Sequence, residues 1–176
     1  MAANAAACRG SNPPPPPSPG PVTPRALAIV ALVPTGTPAV EGVGSLPREQ
    51  VERLLGWRFL RPPEATFVES PLETVIVRYA GDGSTRLDAA YNPDEPYPVR
   101  IIQFSLPWYF PRPAPETSHA ERVGMFDVTF YELEDGSFEA RFETGGATAD
   151  GRPITANVTA GSLPVLREFI AALGFE

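Results

Sequence analysis

The side chains able to do chemistry are few, and their spacing limits what that chemistry could be. His119 is the single histidine and follows Ser118. A serine nucleophile and a histidine base must face one another, which loop neighbours rarely do, and no Gly-x-Ser-x-Gly elbow is present. The expectation is an exposed loop histidine. Cys8 is the single cysteine, so a disulfide within the chain, a Cys/His nucleophile pair and a zinc cluster are all out of reach. Lysine is absent and every basic side chain is an arginine, which excludes Schiff-base chemistry and a phosphate-loop lysine. Glu132 with Glu134, or Glu139 with Glu143, could cleave a glycosidic bond only by facing each other across a cleft. Their spacing instead puts them on the wet face of a hairpin. Asp82, Asp94 and Glu95 lie in turns but match no twelve-residue calcium loop. The sequence assigns no catalytic residue, no metal site and no cofactor.

Binding has a better candidate. Trp108, Tyr109 and Phe110 are consecutive and bracketed by Pro107 and Pro111. Prolines exclude a regular central strand, and three successive rings cannot all face one core, so at least one is expected at the surface as an anchor for a protein or a small apolar ligand. Arg53, Arg58 and Arg61 form the closest basic group, interleaved with Trp57, Phe59 and Pro62, and read as stems covering apolar surface. The formal charge is −7; setting aside Arg9 and Arg25, which precede the first acid at Glu41, leaves about −9. Such a surface repels phosphate backbones, and nucleic-acid binding is not expected.

The elements that must position these residues are mostly strands. Between residues 124 and 144, Phe126, Val128 and Phe130 alternate with polar neighbours, as do Phe138, Ala140 and Phe142, around the turn Glu134-Asp135-Gly136-Ser137. This is a β-hairpin with one buried face. Residues 74–79 and 85–91 repeat the pattern around Gly81-Asp82-Gly83. Residues 99–106 and 154–159 read as further strands, and the apolar run 26–33 as a strand buried on both faces. Asn157-Val158-Thr159 matches a glycosylation acceptor, but its place in a strand argues against use. One short helix is signalled by Ser45 as N-cap, an apolar stripe of Leu46, Val51, Leu54 and Leu55, and Gly56 at its end. A second follows Ser162, where Leu166, Phe169, Ile170 and Leu173 fall at i, i+3, i+4 and i+7, with Gly174 at the exit. Its apolar face is expected to cover the hairpin.

Residues 1–25 form a proline-rich tail with five consecutive prolines, 13–17, and read as a disordered tether. Residues 26–176 are expected to form a single domain. No apolar run approaches the roughly 18 to 20 residues needed to span a bilayer. Ala5-Ala6-Ala7-Cys8-Arg9-Gly10-Ser11 resembles the end of a bacterial lipoprotein signal, in which small residues precede a cysteine that becomes lipidated. It differs from that pattern at Ala5, where leucine is usual, and residues 1–4 supply neither a basic start nor an apolar stretch. The resemblance implies a lipid anchor at Cys8.

Helix, hairpins and final amphipathic helix together predict an α+β fold. Its expected form is a curved, mainly antiparallel sheet of six or seven strands, with a short N-terminal helix and a C-terminal helix packed on it. In layout, about 130 residues resemble an uncharacterised bacterial extracytoplasmic domain related to the lipoprotein-carrier fold. That resemblance rests on the helix and proline-containing segment at 46–63 and on the strand 154–159 leading into a serine-capped helix, and it implies an envelope-facing binding or sensory role. The expected function is a non-enzymatic binding or interaction module tethered at the bacterial envelope. The alternatives are a soluble intracellular protein-interaction domain anchored by Trp108 and Phe110, and an acidic-residue hydrolase.

Overall fold

The computed structural model describes residues 38–79, 81, 83–105 and 118–175. Eight strands form one antiparallel sheet: β1 (Pro38–Gly42), β2 (Val75–Tyr79), β3 (Thr85–Tyr91), β4 (Val99–Phe104), β5 (Ser118–Val123), β6 (Phe126–Glu132), β7 (Phe138–Ala147) and β8 (Pro153–Ala160). Their spatial order is β1-β2-β3-β4-β8-β7-β6-β5. Two four-stranded meanders therefore meet along β4 and β8, and the chain passes from the middle of the sheet at β4 to its edge at β5.

The strand count is eight, not six or seven, because both edge strands lack the alternation that marks a buried face. Every residue of β1 is exposed, and β5 reads Ser-His-Ala-Glu-Arg-Val with only its last residue buried. Such strands are held by backbone pairing to one neighbour and need no apolar stripe. The strand expected at 26–33 lies outside the described residues, as does the tail 1–25.

Register places the core side chains on one face. Ile76 lies opposite Leu87, Leu87 opposite Gln103, Gln103 opposite Ala156, Ala156 opposite Phe142, and Phe130 opposite Ala140. Both helices cover this inner face. Helix α2 (Leu163–Ala172) packs Leu166, Phe169 and Ile170 against Val128, Phe130, Ala140, Phe142 and Val158. Phe169 is fully buried, in edge contact with Phe67 at 4.9 Å and tilted against Tyr91 at 5.1 Å. Helix α1 (Arg48–Leu55) follows β1, so it is an insertion between strands and not the N-terminal element of the described fold. It buries Val51 and Leu55 with Val43, Trp57, Phe59, Ile76, Leu87 and Ile154.

The helix ends differ in detail from expectation. Pro47, not Ser45, occupies the N-cap position of α1, and no side chain caps it. Gly56 closes the helix in the left-handed conformation (φ 79°), donating its N–H to Glu52 O at 2.8 Å; glycine reaches this region without a Cβ clash. At α2 the C-cap is Leu173, and Gly174 instead exchanges two 3.1 Å backbone hydrogen bonds with Arg61.

Candidate functional site

The residues singled out by sequence are not gathered into one site. Cys8, Trp108, Tyr109 and Phe110 lie outside the described residues. His119 is not a loop residue: it sits on β5 directly opposite Phe130, with its ring stacked on that phenyl at 5.2 Å. Successive strand residues point to opposite faces, so Ser118 and His119 do not form a nucleophile and base. His119 Nε2 lies 3.8 Å from Glu121 Oε2, and Glu121 accepts two hydrogen bonds from Arg167 of α2, at 2.5 and 2.8 Å. This cluster fastens the edge strand to the helix. Glu139 is buried on the outer face with Arg141, whose guanidinium lies 4.6 Å from the centre of the Tyr131 ring. Asn157, 3% exposed, is inaccessible to a glycosyl donor in the folded domain. Among the described residues, no group of three His, Cys, Asp or Glu side chains is placed to hold a metal ion, and no helix is long and apolar enough to cross a membrane.

A site that sequence reasoning missed lies on the inner face between α1 and the sheet. The chain leaving α1 crosses the sheet as an extended segment, residues 57–61, held by side chains on both sides. Trp57 Nε1 donates to Thr85 Oγ1 at 2.8 Å, and that hydroxyl donates to Leu55 O at 3.1 Å. Gln103, buried in β4, accepts from Leu60 N and donates to Leu60 O, both at 2.8 Å. Its amide thus mimics a neighbouring strand where no strand is available. Gly174 pairs with Arg61 on the way out. Farther along, Ser70 N donates to Ala90 O at 2.8 Å, while Val68 and Asn92 exchange backbone and side-chain bonds at 2.7 and 2.9 Å. Asn92 supports this with a left-handed backbone (φ 52°), a region that asparagine tolerates better than most residues.

Between these supports lies a cavity of about 520 Å³, within the range of small-molecule sites, roughly 300 to 1,000 Å³. Leu87, Ala89, Tyr91 and Gln103 form its floor on the sheet; Arg48 and Val51 of α1, Phe59, Phe67 and Glu69 form its walls; Val43, Leu46, Glu64 and Val68 stand around them. Val68 is two-thirds exposed, which leaves an apolar side chain at the mouth.

The polar groups of the cavity are specific. Arg48 is held by a 3.0 Å bond from Nε to Glu52, by a 2.7 Å bond from Nη2 to Phe59 O, and by its guanidinium lying 5.0 Å from the centre of the Phe59 ring. Its Nη1 is buried with no partner. Arg61 bonds Glu64, whose side chain is 84% exposed. Glu69 accepts a 2.9 Å bond from the Thr74 hydroxyl. Burial pushes the Tyr91 phenol well above its ordinary range, the Glu69 charge adds to the rise, and Arg61 and Arg48 oppose it more weakly. Tyr91 is therefore a neutral phenol at physiological pH. Arg61, expected only to cover apolar surface, thus belongs to the same electrostatic neighbourhood as Arg48.

Comparison with known proteins finds no family model, curated protein or solved structure that matches this chain.

Proposed function

We propose that this chain is a non-enzymatic binding module whose inner-face cavity takes a small, largely apolar molecule. The observation that supports this reading is the make-up of the cavity: Val43, Val51, Phe59, Phe67, Leu87 and Ala89 give it its apolar surface, beside a comparable polar surface from residues that include Arg48, Glu69, Tyr91 and Gln103. Apolar side chains with oriented polar groups among them are a common composition of small-molecule sites. Hydrolysis by paired acids is less well supported. Glu64 and Glu69 both line the cavity, but Glu64 is turned to solvent beside Arg61 and Glu69 is engaged by Thr74.

Titration with N-phenyl-1-naphthylamine, a neutral probe that fluoresces in apolar surroundings, tests the reading. Saturable one-to-one binding is expected. Val51→Phe, which fills the space from the helix side, and Leu46→Trp, which narrows it from the segment before α1, should each weaken binding by about tenfold or more, roughly 1.4 kcal/mol. Circular dichroism reports whether each variant is folded. Absence of saturable binding, or wild-type affinity in both folded variants, refutes the proposal.

A further inference from the structure

We propose that the ligand of this cavity carries a carboxylate, received by Arg48; the inference rests on the apolar-ligand reading above and adds the headgroup. Three of the contacts that position Arg48 come from the protein itself: Glu52 on Nε, the Phe59 carbonyl on Nη2, and the Phe59 ring at 5.0 Å from the guanidinium carbon. The side chain is 15% exposed, and Nη1 is left buried without a partner in a residue that lines the cavity. A guanidinium is always charged and cannot relieve such burial by losing a proton. A buried donor of this kind calls for an acceptor, and a charged acceptor serves best because charge-assisted bonds are roughly twice as strong as neutral ones.

The other charged groups of the cavity decide between headgroups. Arg48 and Arg61 are matched in number by Glu64 and Glu69, so net charge selects neither an anion nor a cation. Hydrogen-bonding capacity does. Glu69 already accepts the Thr74 hydroxyl and Glu64 is solvated beside Arg61, whereas Arg48 holds an unsatisfied donor away from solvent. Tyr91, a phenol lining the same cavity, adds a neutral hydroxyl-bearing residue to the lining. The ligand class is therefore an amphipathic monocarboxylate with its apolar body among Val51, Phe59, Phe67 and Leu87.

Displacement of N-phenyl-1-naphthylamine by decanoate and by decan-1-ol, which share a chain and differ in headgroup, tests this directly. Wild-type protein should bind decanoate about tenfold or more tightly than the alcohol. Arg48→Met should abolish that preference, read as the ratio of acid to alcohol affinity in the same folded variant, whatever the change removes from both affinities together. Arg48→Lys keeps the charge but loses the planar fork, and should reduce the preference severalfold, so the inference stays testable if the methionine variant fails to fold. Equal binding of acid and alcohol by the wild type, as expected if a water alone satisfies Nη1, overturns the headgroup assignment. So does a preference that survives both folded substitutions. If the neutral probe binds but decanoate is not preferred, only the headgroup inference falls; if neither the probe nor either competitor binds, the apolar-ligand reading falls with it.

Discussion

Replacing Gln103 by leucine should destabilise the domain by about 3 kcal/mol and disturb the cavity with it. The magnitude follows from the geometry. Gln103 makes two 2.8 Å hydrogen bonds to the backbone of Leu60, a residue with no exposed surface. Leucine is close in size but satisfies neither group, and each buried backbone N–H or C=O left without a partner costs about 1–3 kcal/mol. The leucine methyl groups recover about 1–2 kcal/mol by exchanging a polar amide for apolar contact. The net loss is about 3 kcal/mol, which at roughly 3–4 °C per kcal/mol lowers Tm by about 10 °C. Urea unfolding monitored by the fluorescence of the buried Trp57 measures it. Because Gln103 holds the segment carrying Phe59 and Arg61, affinity for N-phenyl-1-naphthylamine should also fall in the folded variant. A loss below about 1 kcal/mol would refute the reasoning, since it would mean that the Trp57–Thr85 bond and the Arg61–Gly174 pair hold the segment without the amide.

Two further outcomes follow from other parts of the fold. Glu121 is held below the usual carboxylate range chiefly by its hydrogen bonds from Arg167, with desolvation opposing and the Arg167 and His119 charges adding smaller help. Its folded pKa lies below its unfolded one, so the stabilisation is complete above the unfolded value and is lost as pH falls through the folded value. Glu121→Gln should therefore be less stable than wild type at neutral pH, with the gap closing in acid; a gap that is constant with pH contradicts this. At Gly44 an added Cβ would stand 2.3 Å from Pro71 O and 2.4 Å from Pro71 Cα, both backbone atoms. Gly44→Ala should cost about 1–3 kcal/mol in denaturant unfolding. Gly42→Ala, where nothing lies within 4 Å, should stay within about 0.5 kcal/mol of wild type, and equal losses at the two sites would refute the clash.

Much of the fold was legible because burial on one face writes itself into strands as a period of two. Phe126, Val128 and Phe130 alternate in sequence and all reach the core that α2 covers, and Leu166, Phe169 and Ile170 mark the helix that covers them. The edge strands were not legible, since β1 and β5 bury almost nothing and so carry no apolar alternation. His119 was misplaced for that reason: nothing in Ser-His-Ala-Glu-Arg-Val announces a strand, and its partner Phe130 is eleven residues away across a turn. Asn157 was placed in a strand by the alternation around it, and that strand now appears between β4 and β7. The cavity was illegible for a different reason. Its lining comes from the segment before α1, from α1 itself, from residues 59–69 and from β3 and β4, and no local pattern joins them. One residue carried a usable signal: Gln103, a carboxamide within the otherwise apolar end of β4, had to find partners in the core.

The position of the cavity in the core explains why it exists. Leu60, Phe67, Ala89 and Tyr91 belong to the cluster under α2, whereas Val43, Val51, Phe59 and Leu87 belong to the cluster under α1. All of them border the same space. An eight-residue helix spans only about 12 Å, less than half the width of an eight-stranded sheet at about 4.8 Å per strand. With α2 packed mainly on β5, β7 and β8 and touching β3 through Phe169, much of the inner face over β3 and β4 is left to residues 57–69, a segment of extended backbone and turn that fills space less fully than a helix. Backbone crossing a sheet must also satisfy its own polar groups, which is why Gln103, Asn92 and Gly174 are spent on it. Those supports fix the cavity walls before any ligand arrives, so a molecule entering the seam meets preformed contacts from both clusters and loses little affinity to ordering them.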